Sequence, residues 1–292
     1  MQDSNVFFEP WRQFNSPIVR QLAFALASPN ILSEVPADLP IKHRFELHPN
    51  NFWKICFERY YVRLIELDHH PEIIINFLAP LKSTRLGLRF EHLLKFWLSD
   101  NPDCRYHPYQ LLAHGLQQIQ GAHTLGELDF VLLNHDTGEI EHWEVALKYY
   151  LAEKTYGIFD WYGLNRDDTL FKKLNHFSEK QFQFSNVLNS DIDKNFAVLK
   201  GQLYLPQHST FPTPSWINTQ RRLGFWGHTI PAEPMFYLSR HEWICPNAHN
   251  RSLPARWWRN NLYVNANLDH FYMFRLNNMK TFPLFQSLTK HT

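Results

Sequence analysis

Cysteine is scarce. The 292 residues hold three, Cys56, Cys104 and Cys245, far apart and without a CxxC pair. That spacing excludes a disulfide scaffold or a zinc knuckle. Long apolar runs are missing too. Stretches such as "EIIINFLAPL" fall far short of the ~20 residues of a membrane span. "MQDSNVFFEPW" lacks the basic region and apolar core of a signal peptide. A soluble cytoplasmic protein with no membrane partner is therefore expected. Excess charge of one sign is nearly absent: the net charge is +1, so any nucleic-acid surface has to be a local basic patch. There is no internal repeat, low-complexity tract, GxSxG, HExxH or glycine-rich phosphate loop, despite seventeen histidines.

The chain has ample material for a core. Hydrophobic residues make up 44% and aromatics 16%, with ten tryptophans, enough for one large domain or two moderate ones. The first eighty residues read as helical. Ser16-Pro17 is a helix-start signal for "IVRQLAFALAS". Trp53, Phe57, Tyr60, Tyr61 and Leu64 recur at helical spacing over 51–66, and Pro71 can open a short third helix. Residues 83–99 pattern as an amphipathic helix with Leu86, Phe90, Leu93 and Trp97 on one stripe. The period then switches to two, predicting strands over 110–119, 126–134 and 140–151, with Gly138 suited to a hairpin turn. Asp167 or Asp168 is expected to cap a helix over 169–185, and a last strand is expected over 196–206. The order is α-β-β-β-α-β. Three regions follow: a helical extension (1–82), an α/β core (83–206) and an aromatic- and Arg-rich remainder (207–292) with short strand-like runs. In that remainder "NRSLPARWWRNN" (250–261) and "TQRRLGFWGH" (219–228) interleave arginines with tryptophans. Such a mix suits either phosphates and bases or plain packing.

The chemistry concentrates in "GELDFVLLNHDTGEIEHWEVALK", residues 126–148. Strand alternation puts Glu144, Ala146, Lys148 and Tyr150 on one face and Trp143, Val145, Leu147 and Tyr149 on the other. A hairpin can bring Asp129 beside Glu144, offering two oxygens to a hard cation such as Mg²⁺. A metal so held polarises a phosphoryl oxygen and acidifies a bound water, while a nearby ammonium offsets charge. A charged strand face can equally be a solvated one.

"GELDF…EVALK" within α-β-β-β-α-β resembles the core of the PD-(D/E)XK, or restriction-endonuclease-like, nuclease superfamily. The resemblance covers about 85–206 and implies a mixed sheet and Mg²⁺- or Mn²⁺-dependent hydrolysis of DNA. It implies Asp129 and Glu144 as metal ligands, Glu91 as a third, and Lys148 as the catalytic lysine. The E-x-K spacing itself is not kept: Ala146 stands at the usual lysine position, and Lys148 lies four residues after Glu144. Lys173, Gln181, Lys200 and Gln202 are the implied substrate contacts. The displaced lysine also admits a nuclease fold that has lost its chemistry and binds nucleic acid or a partner. Over most of its length the chain is similar to an uncharacterised bacterial family with a domain of unknown function. That likeness is carried by "PIVRQLAFALASPNIL", "EVALKYYL", "TLFKKLNHFSEKQF" and "LKGQLYLP".

Overall fold

The computed structural model describes residues 7–121, 123–208, 211–247 and 254–276. Helices α1 (Pro17–Ala27), α2 (Asn50–His69) and α3 (Glu72–Leu78) precede α4 (Leu86–Ser99). Ser16 lends α1 no side-chain cap. Asp68, in the last turn of α2, instead anchors the chain leading into α1 by accepting the Ser16 and Asn15 backbone N–H groups at 2.7 and 2.9 Å. Three long strands follow, β1 (Tyr109–Gln120), β2 (His123–Asn134) and β3 (Glu139–Ala152), and then the short β4 (Trp161–Tyr162). Next come α5 (Leu170–Glu179), a two-residue pair β5 (Asn186–Val187) and β6 (Ser190–Asp191), and β7 (Lys194–Pro206). The element order expected over the middle of the chain is present. Gly138 makes the β2–β3 turn at φ 75°, a backbone region open to glycine, and its N–H donates to the Asn134 carbonyl at 2.7 Å.

The protein is α/β, built on one large mixed sheet in the order β1-β2-β3-β7-β8-β11-β10-β9, with β4 on the far end of β3. The last four members are β8 (Gly224–Gly227), β9 (Met235–Tyr237), β10 (Asn261–Asn265) and β11 (Phe271–Phe274). The described part of the C-terminal region thus extends the same sheet. β1–β2 and β2–β3 are antiparallel, whereas β3–β7, β7–β8 and β8–β11 are parallel. Alternation along β3 sorts side chains between two cores. Trp143, Val145, Leu147 and Leu151 face α1, α2 and α4, while Ala146, Tyr150 and Ala152 face α5. Trp143 is the hub of the first core, fully buried with Trp53, Trp97 and Tyr109 around it.

Two local readings are corrected. The helix expected over 169–185 stops at Glu179 and gives way to a 3-10 turn at Gln181–Gln183. The break lets Phe182 turn inward and stack on Phe45 at 5.3 Å. The cap of α5 is Thr169, which accepts the Lys172 N–H at 3.2 Å, not Asp167 or Asp168.

Candidate active site

Ladder pairing between β2 and β3 ends at Phe130 opposite Trp143. One residue further on, the carboxylates replace the backbone as partners. The Val145 N–H donates to Asp129 Oδ2 at 2.8 Å, and the Asp129 N–H donates to Glu144 Oε1 at 3.4 Å. Asp129 and Glu144 therefore meet where the strands part. Glu144 is completely buried. It pairs through Oε1 with His142 Nε2 at 2.8 Å, and the Gln181 side-chain amide donates to its Oε2. Burial pushes the Asp129 pKa well up, and the neighbouring Glu144 charge pushes it further. Burial raises Glu144 in the same way, with Lys173 pulling against it. His142, buried two residues before Glu144, is pushed down to about 4 by desolvation, so its ring is neutral near pH 7.

The amine that acts on this pair is Lys173, one turn into α5. Its Nζ donates to Gln181 Oε1 at 2.9 Å and lies 3.9 Å from the Phe177 ring centre. Burial lowers its pKa, while Glu144 and Asp129 hold it up. A chain Lys173–Gln181–Glu144 results. It exists because α5 ends early and turns Gln181 back toward β3.

Lys148 is held elsewhere: its Nζ sits 2.7 Å from Asp168 Oδ2, and Asp168 also accepts the Tyr150 hydroxyl at 3.2 Å. Four residues along a strand is about 13 Å, and the loop before α5 supplies a carboxylate closer to Lys148 than the Asp129–Glu144 pair. Glu91, on α4, pairs with His114 of β1 at 2.8 Å and reaches Asp129 through its charge, which helps raise the Asp129 pKa. Lys200 and Gln202 point to the opposite side of the sheet. Lys200 is fully buried, its Nζ donating to the Ala25 and Ser28 carbonyls at 2.7 and 2.5 Å above the Trp53 ring. Gln202 bonds to the Arg222 carbonyl and the Tyr204 hydroxyl. Of the residues singled out in the sequence, Asp129, Glu144, Lys173 and Gln181 come together. Glu91 is adjacent, Lys148 lies on the same side of the sheet but is paired with Asp168, and Lys200 and Gln202 stand apart.

A groove of about 580 Å³ runs along Val145–Tyr149 and shares Val145 and Lys173 with this site. Arg85, Lys148, Lys173 and Arg240 contribute four cationic side chains to its walls, against the single acid Asp168. His142, Asp168, Arg85 and Arg240 were not legible as site residues. Only His142 carried a signal, since it shares the Glu144 face at the i−2 position. The Arg/Trp segments divide. In 219–228, Arg221 is buried and bonds the Gly201 carbonyl at 2.9 Å, while Arg222 pairs with Glu9. In 250–261, Trp258 stacks on Tyr263 at 4.2 Å and Trp257 is 89% exposed; Arg251 lies outside the described residues.

No curated protein and no solved structure matches the chain. A family model does, over residues 20–276, from within α1 to just past β11. The chain belongs to the family described as domain of unknown function (DUF1853).

Proposed function

We propose that this protein is a divalent-metal-dependent nuclease that hydrolyses phosphodiester bonds of DNA, with α4, β1–β3, α5 and β7 as a restriction-endonuclease-like core. The observation that carries the reading is the meeting of Asp129 and Glu144 at the parting strands, tied through Gln181 to the Lys173 amine. The donor set fits a hard cation. Two buried carboxylates are opposed here by the single Lys173 amine, so their charges are not balanced, and Mg²⁺ or Mn²⁺ takes one or two carboxylates plus water and substrate phosphate. When bound, such an ion polarises the phosphoryl oxygen and makes a bound water acidic.

The protein's own groups supply the rest. Asp129 and Glu144 would hold the cation, and Gln181 ties Glu144 to Lys173. Lys173, its pKa lowered by burial, can surrender a proton near neutral pH or, as ammonium, offset charge on the phosphoryl group. Arg85, Lys148 and Arg240 attract the phosphate backbone along the groove.

The test is single-turnover cleavage of a labelled panel of single-stranded, duplex and branched DNA with Mg²⁺ or Mn²⁺. Asp129→Asn and Glu144→Gln should each slow cleavage by roughly a hundredfold or more while DNA binding persists. A second reading, a binding module without chemistry, is favoured by Ala146 at the usual lysine position. DNA binding without cleavage under either metal would establish that reading instead.

A further inference from the structure

Next to the carboxylate pair lies a cluster of different chemistry. Glu91 and His92 are consecutive on α4, and His114 projects from β1 beneath them. One ligand atom from each lies within 4.8 Å of the others. Glu91 Oε1 and His114 Nε2 are 2.8 Å apart, with their side chains 18% and 15% exposed. The His92 and His114 rings stand edge to face at 5.6 Å. His92 Nδ1 lies 2.9 Å from the Leu88 carbonyl. A carbonyl can only accept, so Nδ1 carries the proton and Nε2 keeps its lone pair. Metal-bound histidines are oriented in this way, the second ring nitrogen donating to a backbone carbonyl or carboxylate.

We infer that Glu91, His92 and His114 form a second metal site, separate from Asp129–Glu144 and selective for a zinc-type divalent ion. Two imidazoles with one carboxylate favour a borderline transition metal over Mg²⁺, which prefers oxygen. Three protein ligands on a tetrahedral ion leave one position for water or a phosphate oxygen. The site clamps α4 to β1. It also explains why Glu91 faces His114 and acts on Asp129 only through its charge. The inference does not depend on nuclease activity.

The test uses the full-length protein stripped of metal. Zn²⁺ is titrated by calorimetry, and Co²⁺ by the visible absorption of its bound form. Wild type should bind one tight equivalent that excess Mg²⁺ does not displace. The Asp129→Asn/Glu144→Gln double variant should bind it equally well. His114→Gln, and His92→Gln on the helix surface, should weaken it by more than the roughly 10–100-fold typical of losing an outer contact to a ligand. Metal-free melting curves and circular dichroism establish that the variants are folded, and His92→Gln leaves the apolar cores untouched. The inference fails if wild type binds no Zn²⁺ tightly, if the folded histidine variants bind it unchanged, or if the carboxylate double variant loses it.

Discussion

Replacing Asp129 with Asn should make the metal-free protein more stable. The Asn side-chain carbonyl can still accept the Val145 N–H, and the amide can donate to Glu144 Oε1 where one carboxylate now faces another. The magnitude follows from the proton balance. The folded-state pKa of Asp129 lies above its ordinary value of 3.8. The folded protein therefore keeps a proton that the unfolded chain releases. This contribution to stability is fully present below the unfolded pKa and is lost as pH rises through the folded one. At pH 7 the cost is bounded by about 1.36 kcal/mol for each unit between 3.8 and 7, or about 4 kcal/mol. Allowing for the altered hydrogen bonds, a gain of about 1–3 kcal/mol is expected, at roughly 2–4 °C of melting temperature per kcal/mol. Thermal melts in EDTA from pH 5 to 8 should show wild type losing stability toward high pH more steeply than Asp129→Asn. Adding Mn²⁺ should raise the wild-type melting temperature by more than that of the variant. An Asn variant of equal or lower stability with the same pH slope would refute the idea that these carboxylates strain against each other.

Lys173→Met should slow cleavage by about 3 kcal/mol, roughly a hundredfold, in single-turnover assays. Lys148→Ala should mainly weaken DNA binding and flatten its salt dependence, because Lys148 lines the groove and is paired with Asp168. Gly201→Ala should yield little soluble protein. Its φ is 126° and an added Cβ would lie 1.9 Å from the Lys148 carbonyl oxygen, so β3 and β7 could not close; expression and solubility report this directly. Thr169→Ala should cost about 1 kcal/mol by denaturant titration, as the loss of an N-cap does, whereas Asp167→Ala should cost far less.

Much of the fold was written locally. The period-two runs around Gly138 mark the β2–β3 hairpin, and the 3.6-period stripe of Leu86, Phe90, Leu93 and Trp97 marks α4. Alternation allowed Asp129 and Glu144 to face each other across a hairpin, but spacing alone fitted a solvated face as well, and the resemblance to a nuclease core singled the pair out. It did not sort the amines. Lys148 and Lys173 look alike as letters, and which of them meets the pair depends on Asp168, which captures the first, and on the early end of α5, after which Phe182 packs inward and Gln181 bridges to the second. Lys200 shows the same limit: strand alternation separates two faces but does not say which is the site and which is core. In the fold its Nζ lies over Trp53. The Glu91–His92–His114 cluster joins residues 22 and 23 positions apart through the packing of α4 on β1. Local periodicity is legible because backbone geometry sets which side chains share a face over a few residues. Side-chain partners across elements were decided only when the sheet and its helices closed.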